Sequence, residues 1–200
     1  MMPDWDVPFD LFTIRNFFDA ETCRELFAEM RRAPVSPATV YGQGEAGAVN
    51  ERMRKVGRLS PSEQTVELVK QRLREHRREV GEHFGISLSL CEEPQFLRYS
   101  VGDFFVAHQD GNTGLLLSDR EQSRKISIVV FLNRQSETPA TDAYCGGSLV
   151  FSNWRARLQE HRELRLSGEA GMMVAFRAET THEVIPVTHG ERYSIVSWYG

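Results

Sequence analysis

Four side chains, His108, Asp110, His182 and Arg192, carry the distinctive chemistry of this 200-residue chain. The local sequence reads Tyr99-Ser-Val-Gly-Asp-Phe-Phe-Val-Ala-His108-Gln-Asp110 and, much later, Thr181-His182-Glu-Val-Ile-Pro-Val-Thr-His-Gly-Glu-Arg192-Tyr-Ser194. Two imidazoles and one carboxylate can hold a divalent iron on one face and leave the opposite face open, as a metal requires if it is to bind an organic co-substrate and dioxygen together. In an extended segment the side chains at i and i+2 point the same way, so His108 and Asp110 can converge on one ion while Gln109 turns away. His182 follows 182 − 108 = 74 residues later, room for several antiparallel strands and their turns, and so belongs to another strand. Arg192 lies beyond the turn signals Pro186 and His189-Gly190, which predict that the chain folds back as a neighbouring strand. There a guanidinium is suited to grip a carboxylate bidentately, with Ser194, on the same face, donating a further hydrogen bond.

From Pro94 to the end, these segments resemble the Fe(II)- and 2-oxoglutarate-dependent dioxygenases, and within them the prolyl 4-hydroxylase-like branch. Tyr99 to Asp110 is similar to the family's Tyr-x-x-Gly-x-x-Tyr-x-x-His-x-Asp signature, with Phe105 in place of the second tyrosine. Ile126-Ser-Ile-Val-Val-Phe-Leu-Asn133 resembles the strand after the metal motif, Gly146-Gly-Ser-Leu149 the Gly-Gly-x-Leu step, and Arg192-Tyr-Ser-Ile-Val-Ser-Trp198-Tyr the closing strand. The resemblance implies His108, Asp110 and His182 as catalytic metal ligands. It also implies a 2-oxoglutarate pocket lined by Tyr99, Leu149, Arg192 and Trp198, to which the spacing adds Ser194. It further implies Fe(II) and dioxygen, ascorbate as a candidate reductant, and hydroxylation of an aliphatic C–H with release of succinate and carbon dioxide. A prolyl residue or free amino acid is the expected substrate, small molecule or peptide. Phe105 and Phe131 stand where relatives often place tyrosines, so any hydrogen bonds those hydroxyls give are absent at these positions.

The elements that must position these residues are legible in outline. Asp19 is suited to cap a helix over Glu21 to Arg32, in which Cys23, Leu26, Phe27 and Met30 recur at helical spacing. A second helix is expected from Ser60-Pro61-Ser62 to Gly85, with a mixed-charge outer face over Lys70 to Glu79 that reads as solvated. From Gln95 the pattern changes to strands at Gln95–Ser100, Asp103–His108, Lys125–Leu132, Gly147–Phe151, Gly171–Phe176 and Tyr193–Tyr199. This predicts a mainly β fold with N-terminal helices and a double-stranded β-helix core, a jelly roll of cupin-like type. Residues 1–90 are expected to form a strand and helix support region and 91–200 the dioxygenase domain that the resemblance implies. Residues 35–58, rich in glycine and proline, are expected to be irregular and to cover the substrate. Arg52, Arg54, Lys55 and Arg58 there would favour an acidic substrate or simply meet solvent.

Composition narrows the setting. A net charge of −4 gives no general attraction for nucleic acid or anionic membrane. No apolar run reaches the roughly 20 residues of a membrane span, and the start lacks a basic segment followed by an apolar one. Cys23, Cys91 and Cys145 are odd in number and widely spaced, which points to free thiols and a cytoplasmic location. The oligomeric state is not encoded in any visible pattern. His76, His83, His161 and His189 lack a spacing partner of the required type. Two alternatives share the ligands: a cupin-like metalloenzyme without a keto acid, which has no need for Arg192 and Ser194 together, and a non-catalytic binding or sensing module, which would be expected to lose a ligand.

Overall fold

Polar caps and apolar stripes set the two helices against one face of a large sheet. The structure, a computed structural model, describes residues 9–38, 52–111, 123–155 and 160–200. Along the chain run β1 (Leu11–Ile14), α1 (Ala20–Met30), β2 (Val35–Pro37), β3 (Arg54–Lys55), β4 (Gly57–Leu59), α2 (Glu63–Phe84), β5 (Gln95–Tyr99), β6 (Phe104–His108) and β7 (Ile126–Phe131). There follow β8 (Arg134–Gln135), β9 (Ala143–Gly146), β10 (Leu149–Arg155), β11 (Glu160–Leu166), β12 (Met173–Arg177), β13 (His182–Val184), β14 (Val187–His189) and β15 (Arg192–Tyr199). The Asp19 carboxylate accepts from the Thr22 amide at 2.8 Å to start α1. Ser62 caps α2, and Gly85, with φ +65°, ends it in the left-handed conformation that a side chain would strain.

Seven strands in the order β1-β12-β7-β15-β5-β4-β2 form the main sheet, and β11-β10-β13-β6-β3 form the facing one. A smaller three-stranded ladder runs β14-β9-β8. This is the double-stranded β-helix expected from the strand pattern. Alternation along the main sheet divides the core in two. Ile126, Ile128, Val130, Met173, Ala175, Ile195 and Tyr199 point to the helices, meeting Leu26, Met30, Val69, Leu73 and Phe84. Val129, Phe131, Val174, Phe176, Leu97 and Tyr99 point inward to Leu149, Phe151 and Val184 of the facing sheet. Strand β7 is buried at every position, so polar residues on it stand out; Ser127 is its single hydroxyl.

The segment 35–58 departs from expectation. Its ends are strand: Val35 pairs with Leu59 and Pro37 with Gly57 on the margin of the main sheet, while Arg54 pairs with Phe105 in the facing sheet. Proline is tolerated because β2 is an edge strand, which can dispense with an amide donor. The proposed cover would have to come from residues 39–51, which lie outside the described residues. Strands β8, β9, β11, β13 and β14 escape sequence reading because they are very short or, in Glu160–Leu166, largely charged. The outer face of α2 is solvated as expected, with pairs such as Arg72–Glu75 at 3.1 Å.

Leu73 is fully buried between α2 and the main sheet, and its carbonyl accepts from the Tyr199 hydroxyl at 2.6 Å. Leu73→Ala should lower the unfolding free energy by about 2 to 5 kcal/mol, the usual cost of a buried leucine cavity, measured by urea denaturation.

Candidate functional site

Antiparallel pairing of β6 with β13 puts His182 directly opposite His108. Their ring centroids are 4.3 Å apart. The Nδ1 of His108 lies 2.8 Å from the Val106 carbonyl, and the Nδ1 of His182 lies 2.9 Å from the Thr180 carbonyl. A carbonyl oxygen only accepts, so each Nδ1 carries the proton and each Nε2 keeps a free lone pair. Both Nε2 atoms face Asp110, at 3.6 Å from Oδ1 and 3.5 Å from Oδ2. These separations are too long for hydrogen bonds and suit three donors around a common centre. One ligand atom from each residue falls within 4.8 Å of the others. Asp110 itself sits in the bend just past β6. Its amide and that of Gly111 donate to the Ala178 carbonyl at 2.9 and 3.2 Å, which ties the bend to the chain before β13.

The charge states favour a cation. Burial pushes the Asp110 carboxyl up, but the His182 and His108 imidazoles and the Ser127 hydroxyl outweigh it and hold it well below the usual carboxylate range. Ser127 donates to Asp110 Oδ2 at 2.6 Å across the two sheets. Burial lowers His182 from 6.5 to about 4, with His108 adding to the effect. At neutral pH His182 is therefore neutral and Asp110 anionic, the forms in which they bind a metal.

Arg192 opens β15 on the inner face of the main sheet. The chain does not return beside β13 as the turn signals suggested; it crosses to the other sheet, where Arg192 pairs with Tyr99 and Ser194 with both Leu97 and Phe131. Only 1% of Arg192 is exposed. Its Nη1 donates to Ser194 Oγ at 3.1 Å, and its guanidinium lies 5.0 Å from the Tyr99 ring centre and 5.2 Å from that of Phe131. Among the described residues no carboxylate pairs with it, and its Nε has no hydrogen-bond partner. Glu191, its chain neighbour, instead accepts from the Tyr193 hydroxyl at 2.7 Å.

Leu149 is buried in the same inner cluster as Tyr99 and Phe131. Trp198 is placed differently. Six residues along β15 from Arg192, or about 20 Å in an extended strand, it pairs with Ser127 at the metal end. The Arg124 guanidinium stacks 3.8 Å above its ring, contacts the Asp110 carbonyl at 3.4 Å and forks onto buried Glu92 at 2.6 and 3.0 Å. Ser127, Arg124, Glu92 and Tyr144 were not singled out from sequence. A lone serine in an otherwise apolar buried strand was the available signal for the first, whereas the Arg124–Glu92 contact spans 32 residues and has no local mark. His76 and His83 bind Glu79 and Asp10 at 3.0 Å away from the site, and Cys145 is a buried free thiol. Arg54 stacks 4.8 Å over Phe105, which itself stacks on His108 at 3.5 Å, and Lys55 meets Asp103 at 3.4 Å.

The family model for the 2OG-Fe(II) oxygenase superfamily matches residues 94–200. The chain belongs to that superfamily. A PKHD-type hydroxylase of Stenotrophomonas maltophilia is 33% identical over 105 residues, covering 52% of this chain and 41% of the relative. The chain spans about two fifths of the length of the curated relatives it matches. Among solved structures, a Pseudomonas putida prolyl-4-hydroxylase is similar with TM-score 0.66, 24% identity and coverage of 96% and 92% of the two chains. A Trichoplax adhaerens prolyl hydroxylase, solved with a hypoxia inducible factor peptide fragment, has TM-score 0.67, 18% identity and coverage of 96% and 84%. At these identities the likeness is one of fold, in agreement with the two facing sheets. The superfamily implies iron and 2-oxoglutarate, and the donors present fit both: two imidazoles with a carboxylate for the metal, and a buried guanidinium with no acidic partner among the described residues for a carboxylate ligand.

Between pH 6.5 and about 4 the unfolded chain protonates at His182 while the folded chain resists. Metal-free protein should therefore lose stability on acidification through this window, by on the order of 1 kcal/mol per pH unit from this group. Urea unfolding at pH 7 and 4.5 should show a shallower loss in His182→Gln.

Proposed function

We propose that this protein is an Fe(II)- and 2-oxoglutarate-dependent dioxygenase that hydroxylates an aliphatic C–H, with a prolyl residue of a peptide or a free amino acid as substrate. The observation that carries this reading is Arg192, a fully buried cation with no acidic partner among the described residues, on the sheet opposite the His108, Asp110 and His182 cluster. A buried unpaired charge is costly, and a carboxylate ligand removes the cost. A cupin-like metalloenzyme without a keto acid would have no use for it.

In this reading His108, Asp110 and His182 hold the iron, and Arg192 with Ser194 grips the far carboxylate of 2-oxoglutarate. When bound, the iron and keto acid together activate dioxygen, and succinate and carbon dioxide leave as the co-product. The protein's own part is orientation and exclusion of water. The Val106 and Thr180 carbonyls hold both imidazoles in the metal-binding tautomer. Ser127 fixes one Asp110 oxygen, and Arg124 stacked on Trp198 braces the backbone beside it. Tyr99, Phe131 and Leu149 keep the co-substrate pocket dry.

The substrate assignment is supported by the prolyl hydroxylases among the fold's neighbours, one of them solved with a peptide. Ascorbate as reductant is proposed on the family resemblance alone. A cytoplasmic location is supported by three free cysteines, and no helix among the described residues is long and apolar enough to cross a membrane.

Asp110→Ala should abolish turnover and weaken Mn(II) or Fe(II) binding sharply while the β core stays folded, measured by anaerobic calorimetry and circular dichroism; unchanged metal affinity would refute the ligand set. Arg192→Ala should spare metal binding but cost 2-oxoglutarate about 2 to 5 kcal/mol of affinity, a rise in Kd of well over tenfold. Succinate formation after air is admitted to iron-loaded protein gives the decisive assay of activity.

A further inference from the structure

The Nε of Arg192 is not the only buried polar atom here without a hydrogen-bond partner. Tyr144, on β9, is completely buried, and its hydroxyl has no hydrogen-bond partner among the described residues. The two side chains lie against each other behind the Gly146-Gly147 step. A Cβ added at Gly147 would sit 3.3 Å from both Arg192 Cδ and Tyr144 Cδ2. Gly147, at φ +60°, holds a conformation that a side chain would strain, so the chain can pass close behind both groups only as glycine. The Tyr144 hydroxyl and the edge of the Phe131 ring together border Gly168, and Phe131 in turn lies beside the Arg192 guanidinium. Burial pushes the Tyr144 phenol up from its ordinary value, and the nearby Arg192 guanidinium opposes only part of that rise.

Donors outnumber acceptors around Arg192. Arg192 Nε–H and the Tyr144 O–H are both buried donors without acceptors. Ser194 Oγ accepts from Arg192 and still has its own proton to give. Three buried donors thus gather where no carboxylate of the described residues reaches them. Unmet buried donors are costly, and a ligand carboxylate, with about four lone-pair sites, is the group that satisfies all three.

We infer that Tyr144 is a co-substrate-binding residue whose hydroxyl donates to the distal carboxylate of the keto acid, doing from β9 what the apolar Phe131 on β7 cannot. This deepens the functional reading above and rests on it. Any keto acid that keeps the metal-binding end but lacks the distal carboxylate should be indifferent to Tyr144.

The test is calorimetry on Mn(II)-loaded protein with 2-oxoglutarate and, separately, pyruvate. Tyr144→Phe should raise the 2-oxoglutarate Kd at least tenfold, leave Mn(II) and pyruvate affinities unchanged, and leave the urea midpoint of the ligand-free protein equal or higher, because a buried unpaired hydroxyl has been removed. A merely structural tyrosine would weaken both keto acids together or lower the midpoint, and either result overturns the inference. Normal 2-oxoglutarate binding by Tyr144→Phe, alongside the expected defect in Arg192→Ala, overturns the role of Tyr144 alone. If wild-type protein binds no 2-oxoglutarate, or Arg192→Ala binds it as tightly as wild type, the functional reading itself falls.

Discussion

The antiparallel register between β6 and β13 is the constraint on which the site depends. It sets His182 opposite His108, so that two rings separated by 74 residues of sequence share one small volume. A slip of one residue would turn one imidazole to the other face of the sheet, since side chains alternate with period two. The Ala178 carbonyl, accepting from the amides of Asp110 and Gly111, extends the same lock to the carboxylate. The donor geometry therefore comes from backbone pairing first and side-chain packing second.

The facing sheet supplies the anionic and imidazole donors, and the main sheet supplies Ser127, Arg192, Ser194 and Trp198. Helices α1 and α2 touch none of the cluster formed by His108, Asp110 and His182. Their contribution is to cover the outer face of the main sheet, which allows β7 and β15 to be apolar outward and to carry chemistry inward. The Ser127 to Asp110 hydrogen bond at 2.6 Å is the point at which the two sheets meet in the metal cluster.

Much of this was legible in the sequence. His-x-Asp and the distal histidine mark a metal cluster because those residue types at that spacing have few other uses, and the six long strands announce themselves by apolar, β-branched runs. Arg192 and Ser194 were legible as a pair because i and i+2 share a face. What was not legible depends on non-local pairing. Nothing around Arg192 says that its strand joins the sheet opposite His182, and the turn signals pointed to the simpler hairpin. Strands of two to four residues such as β8, β9 and β14 carry too little periodicity to read. Tyr144 lies on one of them, so its approach to Arg192 emerges only once β9 has been placed. Trp198, aligned with the co-substrate pocket by resemblance, is carried along β15 to the metal end by strand rise alone.

The split of the donors between two sheets has a mechanical consequence. A metal and a keto acid held in this manner would cross-link the sandwich through its hollow, so any motion that parts the sheets must first surrender both. Ligands that bind only the closed form add their binding free energy to the lifetime of the fold. A ligand spanning both sheets would thus slow unfolding, and with it proteolysis, without touching the helices that cover the outer face.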